Sequence, residues 1–208
     1  MVRSFALTMT TTMTTGVYTP QFPREAAFAK TQDAALAELI GIQEATSRFG
    51  ESLTQSPSGR LNARPGEGRW SALECLEHLN RYADHYLPLL RDRVPRAPAR
   101  EGDAYRPGLL GRPFALAMHP ARRAKKLRSP GRMNPLGSTL DAEVVVGAFR
   151  QNQAAYLEVL RALRGKELRG SRIPISAFPI VKLHLGDMLH TLVWHHARHV
   201  LQAGEAVG

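Results

Sequence analysis

The sequence predicts an all-α protein, a four-helix bundle with a long basic connector between helices two and three. Three observations carry this. Hydrophobic residues make up 43% of the 208-residue chain but aromatics only 7%. A core must therefore rest on Leu, Ala and Val, which suits helices better than strands. Apolar residues recur at three- and four-residue spacing in four stretches, and segments rich in Pro, Gly and Ser separate those stretches. No internal repeat and no convincing strand stands out.

Residues 1–23 read as a disordered leader, a Thr/Met repeat closed by Pro20 and Pro23. This segment lacks the sustained apolar region of a signal peptide, and Met9 or Met13 are alternative starts. No run of about 18 apolar residues occurs, so no membrane span is expected and the protein is placed in the cytoplasm.

The bundle is expected over residues 24–203, with a short tail at 204–208. Helix one is predicted at 24–50, with Phe28, Leu36, Leu39 and Ile40 near helical spacing. A loop rich in Ser, Pro, Gly and Asn follows at 51–69. Helix two starts after Ser71, an N-cap with Glu74 three residues later, as a capping box requires. Leu73, Leu76, Leu79, Tyr82, Tyr86 and Leu90 trace its apolar face. Pro88 either kinks this helix or ends it early.

The connector, 91–139, holds prolines at 95, 98, 107, 113, 120, 130 and 135, which forbid a long regular element. A short helix near 113–127 is possible. Between 91 and 132 stand ten Arg and two Lys against one Glu and two Asp, a surplus of nine positive charges in a chain whose net charge is +10. So long a connection is often functional. It leaves open whether helix three runs parallel or antiparallel to helix two.

Helix three is predicted at 140–164, with Val144, Val145, Ala148, Phe149, Tyr156, Leu157 and Leu160 on its apolar side. Thr139 or Ser138 would cap it, and Gly165 follows. A loop with Pro174 and Pro179 spans 165–180. Helix four runs over 181–203 and stops at Gly204. Cys75 is the lone cysteine, so a disulfide within the chain is impossible. It reads as a small buried hydrophobe.

Five of the eight histidines (His184, His190, His195, His196 and His199) fall in helix four as predicted, and His78 and His85 fall in helix two. On a helical wheel, His196 and His199 lie inside the apolar arc and His195 at its edge. His195 and His199, at i, i+4, would offer two nitrogens to one metal, and so would His196 and His199 at i, i+3. Geometry alone does not choose between these pairs. A third ligand must come from another helix, and His78 or His85 could supply it. Three imidazoles with an open position suit zinc, nickel or iron. Core histidines bonded to backbone are the competing reading. Trp194 lies opposite the apolar arc, where an exposed ring often marks an interface and suggests a homodimer; coverage by the connector is the alternative.

Two segments narrow this choice. Trp70-Ser71-Ala72-Leu73-Glu74-Cys75-Leu76-Glu77-His78-Leu79 fits W-S-x-x-E-x-x-x-H-L, and His195-His196-Ala197-Arg198-His199-Val200-Leu201-Gln202 fits H-x-x-x-H-x-x-Q. In this order, and over roughly 24–203, the chain resembles the DinB/YfiT-like superfamily of metal-binding four-helix bundles, bacterial proteins named for a DNA-damage-inducible member. The resemblance implies a metal triad of His78, His195 and His199, with the register set by Gln202. His196, His85 and Gln202 become neighbours or alternative ligands. It implies zinc, nickel or iron with water on the open side, and relatives that include bacillithiol- and mycothiol-dependent transferases and a thiol-dependent maleylpyruvate isomerase.

The expected function is a metal-dependent enzyme acting on small molecules, a thiol S-transferase or a hydrolase with a stress or detoxification role. A low-molecular-weight thiol would be the cosubstrate in the first case. Glu74 is a candidate base or a group that orients His78, beside its capping role. The alternative is a non-enzymatic bundle that binds metal or, through the connector, a polyanion such as nucleic acid. Against nucleic acid, aromatic interleaving is thin (Tyr105 and Phe114) and no reading motif is visible.

Overall fold

A computed structural model describes residues 12–14, 17–23, 27–122, 129 and 131–208. The remainder of the expected leader and residues 123–127 of the expected connector helix lie outside the described residues. Six α-helices occur among those described: α1 (Gln32–Leu53), α2 (Ser58–Asn62), α3 (Ala72–Arg93), α4 (Gly111–Met118), α5 (Ala142–Ala162) and α6 (Leu185–Val207). Two small antiparallel strand pairs accompany them, β1 (Thr12–Thr14) with β2 (Val17–Thr19), and β3 (Arg172–Ile175) with β4 (Phe178–His184), the latter a hairpin. The protein is thus mostly helical.

The four long helices touch in the ring α1–α5–α3–α6. Two apolar clusters show their directions. One gathers Phe49 and Leu53 from the end of α1, Leu73 and Leu76 from the start of α3, Val145 and Phe149 from the start of α5, and Val200 and Ala203 from late α6. The other gathers Leu36 and Leu39, Tyr86 and Leu90, Tyr156 and Leu160, and Leu189 from the opposite ends. Helices α3 and α5 therefore run parallel, and the connector returns the chain along the whole length of the molecule. A polar layer crosses the interior among these helices, with Gln43, His78, Gln153, His195, His196 and His199 all buried.

Several boundaries differ from expectation for tertiary reasons. Helix α1 begins at Gln32, not 24, capped by the Thr31 side chain. The preceding backbone is taken by the connector: Gln32 N–H donates to Asp103 O at 2.7 Å, and Tyr105 N–H to Lys30 O at 2.8 Å. Pro88 does not end α3, which runs on to Arg93. Asp141, rather than Thr139 or Ser138, caps α5. Val144 is exposed and Val146 takes the buried place expected for it.

The expected loop at 165–180 contains β3 and the start of β4, so α6 begins only at Leu185. The hairpin follows a β pattern hidden by two prolines: Ile173 and Ile175 are buried while Pro174 between them is not. At the other end α6 passes through Gly204, and the expected tail is helical to Val207, which is buried. Arg60 Nε donates to the Val207 carbonyl at 2.9 Å. Within the expected leader, β1 and β2 pair antiparallel, with Met13 opposite Tyr18. The Tyr18 ring lies under the Arg48 guanidinium of α1, 5.7 Å away.

Trp194 is not exposed. It is fully buried, with ring centroids 5.1 Å from Phe28 and 4.6 Å from His119. His119 belongs to the connector, whose helix α4 packs along α6. The connector covers the face that the helical wheel left open.

Candidate metal centre

The N-terminus of α3 is firmly held. Ser71 Oγ accepts from Glu74 N–H at 3.1 Å, and the Glu74 carboxylate accepts from Ser71 N–H at 2.8 Å, completing the capping box. The buried carboxylate also accepts from Gly137 N–H at 2.8 Å and from Arg64. Burial pushes its pKa up, but the bonds from Arg64 and the two amides outweigh this and hold it below the usual value. One turn later, His78 enters the interior.

His78, His195 and His199 meet there, each buried, with one potential ligand atom apiece, all within 4.8 Å of one another. The His78 and His195 Nε2 atoms are 3.1 Å apart. Two imidazole nitrogens bound to one tetrahedral zinc at about 2.0–2.1 Å would lie about 3.3–3.4 Å apart, so the spacing fits a shared ion.

The second nitrogens set the tautomers. His78 Nδ1 lies 2.6 Å from the Met133 carbonyl, which can only accept, so Nδ1 carries the proton and Nε2 offers a lone pair. His199 Nδ1 pairs with Gln202 Oε1 at 3.1 Å, again turning Nε2 to the centre. His195 Nδ1 is buried without a partner. Metal-ligating histidines typically have this second bond, and two of the three possess it. Burial pushes His78 down to about 4, against the raising effect of its Met133 bond. Burial, followed by the neighbouring histidines, places His195 and His199 well below the ordinary value. All three are neutral near pH 7, the form a metal requires.

The cluster opens on a cavity of about 820 Å³. Trp70 packs over His78 and His199, with centroids 4.7 and 5.5 Å away. Tyr82 lies 4.7 Å from His195. Arg69, Arg198, Gln202 and Glu205 also line the cavity.

The other predicted residues go elsewhere. His196 lies against Tyr156, 4.5 Å between centroids, and its Nδ1 is 3.2 Å from Gln43 Oε1. His85 is half-buried, edge-on to Tyr86 at 4.7 Å. Neither joins the cluster among the described residues. Glu74 is committed to its cap, Arg64 and Gly137, and the Met133 carbonyl, not Glu74, accepts the hydrogen bond from His78 Nδ1. His184, expected inside helix four, precedes α6 and meets the Arg169 carbonyl at 3.0 Å. Burial and then the charges of Glu74 and Glu205 raise the Cys75 pKa, in keeping with a packed, unreactive thiol.

Sequence reasoning misses two groups. The Met133 carbonyl leaves no trace in residue type, because every residue has one. Tyr82 reads only as core, since periodicity does not separate a cavity wall from packed interior. No helix among the described residues is long and apolar enough to cross a membrane.

No curated protein and no solved structure matches the chain. The sequence model of the DinB superfamily matches residues 41–203, from within α1 almost to the end of α6, and so includes all three clustered histidines. That match covers well over half of the chain, which therefore belongs to the DinB superfamily.

Proposed function

We propose that the protein is a metal-dependent enzyme acting on small molecules, a thiol S-transferase or a hydrolase, built as a DinB/YfiT-type four-helix bundle over residues 24–203. His78, His195 and His199 are its ligands for one zinc, nickel or iron ion. The observation that carries this reading is the convergence of three buried, neutral imidazoles on one cavity. When bound, a divalent ion with three neutral ligands keeps its full charge and lowers the pKa of a coordinated water or thiol toward neutrality.

The chain supplies the rest. Met133 and Gln202 orient two of the imidazoles, and Trp70 and Tyr82 shield the cluster from bulk water. Arg69 and Arg198 border the cavity, where they would meet a carboxylate of a small thiol or an acidic substrate. The homodimer suggested by Trp194 loses its basis, because that ring is buried.

Elemental analysis of the purified protein beside His195→Ala tests the reading. About one metal per chain in the wild type and none in the variant is the expected result. No uptake by the wild type after reloading with zinc, nickel or iron would overturn it.

A further inference from the structure

The cavity is chemically lopsided. With a metal held by His78, His195 and His199, the reading on which the substrate class rests, this asymmetry selects what can bind beside it. Along α6 the cavity wall runs Met188, Leu192, His195, His199, Gln202, Glu205, one face at helical spacing. From His195 back to Met188 the helix rises by about 10 Å. The charged lining residues among those described are Arg69, Arg198 and Glu205. Arg69 adjoins Trp70, whose ring covers His199, and Arg198 and Glu205 follow His195 along α6. All three thus lie at the cluster or beyond it.

Among the described residues, no charged side chain lines the arm toward Met188. Tyr82 and Tyr86, stacked at 6.1 Å with 16° between their planes, form one wall. Tyr86 Oη accepts from Ser176 N–H at 2.8 Å, which spends its polar end on the hairpin and leaves the ring face to the cavity. Phe114 of α4 and Phe178 of β4 also line it.

We infer that this arm binds the uncharged apolar body, alkyl or aryl, of a substrate whose single polar head reaches the histidine cluster. Burying apolar surface there is favourable, whereas a charged body would be desolvated, the nearby Arg132 being engaged with the Ser176 carbonyl at 3.3 Å. Connector and hairpin thus supply Phe114 and Phe178 to the cavity beside α3 and α6.

Calorimetric titration of the zinc-loaded full chain with hydroxamates, from acetohydroxamate to octanohydroxamate, tests this. Affinity is expected to rise about threefold to fourfold per methylene until the arm is filled. A hydroxamate whose chain ends in a carboxylate should lose that gain. Phe114→Lys should flatten the series with zinc content unchanged. Phe178→Lys, at a position 66% exposed and so tolerant of substitution, should reduce its slope. A flat series on metal-loaded wild type, or equal affinity for the carboxylate-tailed probe, overturns the inference and leaves the metal reading standing. Failure to take up any metal overturns both.

Discussion

His78 donates its Nδ1 proton to the main-chain carbonyl of Met133, 55 residues away, at 2.6 Å. Arg81, one turn further along α3, donates to the carbonyls on either side of that residue, Arg132 at 3.4 Å and Asn134 at 3.1 Å. Glu77 in turn holds Arg81 at 2.8 Å. The returning connector is thus pinned where its carbonyl orients the His78 imidazole. Arg81→Met should weaken zinc binding by roughly tenfold, in the range for lost outer partners of a ligand. Chelator competition measures it, with helix content by circular dichroism unchanged. Unaltered affinity would reduce Arg81 to a surface ion pair.

Metal should stabilise the fold. An ion that binds only the folded chain adds about 2.7 kcal/mol at a free concentration one hundred times Kd. Thermal unfolding with and without zinc should show a higher Tm in the wild type and no difference in His195→Ala. A zinc-dependent shift that persists in the variant would place the ion elsewhere.

Acid should destabilise the protein before its carboxylates titrate. Burial holds His190 down to about 4 and His196 down to about 3, whereas an unfolded histidine titrates near 6.5. Between these values the unfolded chain binds more protons than the folded one, so stability is lost as pH falls from about 6.5 toward 4. Glu38, raised to about 6 by burial, acts in the opposite sense but is a single group. Urea midpoints between pH 8 and 4 should fall across this window and fall less in His190→Phe. A flat profile would contradict neutral burial of these rings.

The connector helix is seated on Asp187, which accepts from Tyr105 Oη and from Gly108 N–H, each at 3.0 Å. A Cβ at Gly111 would collide with the Asp187 side chain. Gly111→Ala should therefore cost about 1–3 kcal/mol, the usual penalty of overpacking, read as a lower urea midpoint. It should also loosen α4 over Trp194 and shift that residue's fluorescence to the red in a Trp70→Phe background. A variant as stable as wild type, with unshifted emission, would show that α4 is not held this way.

The sequence by itself determined what depends on local spacing. Helical periodicity marked the four long helices, Ser71 and Glu74 announced the start of α3, and His195, His199 and Gln202 lie one turn apart because a helix repeats every 3.6 residues. His78 was legible through the motif that links it to that start. Tertiary contacts decided the rest. Pairing with Gly102–Tyr105 moved the start of α1, and packing under α4 and His119 buried Trp194. Strand pairing turned a proline-containing loop into a hairpin. The choice between His196 and His195 is likewise physical: one imidazole meets Gln43 and Tyr156, the other meets His78. A helical wheel places both near the apolar arc, and only the neighbouring helices distinguish a packed core from a cavity. The cavity itself is assembled from α3, α4, α6 and the hairpin, so no single stretch of sequence could reveal its apolar arm.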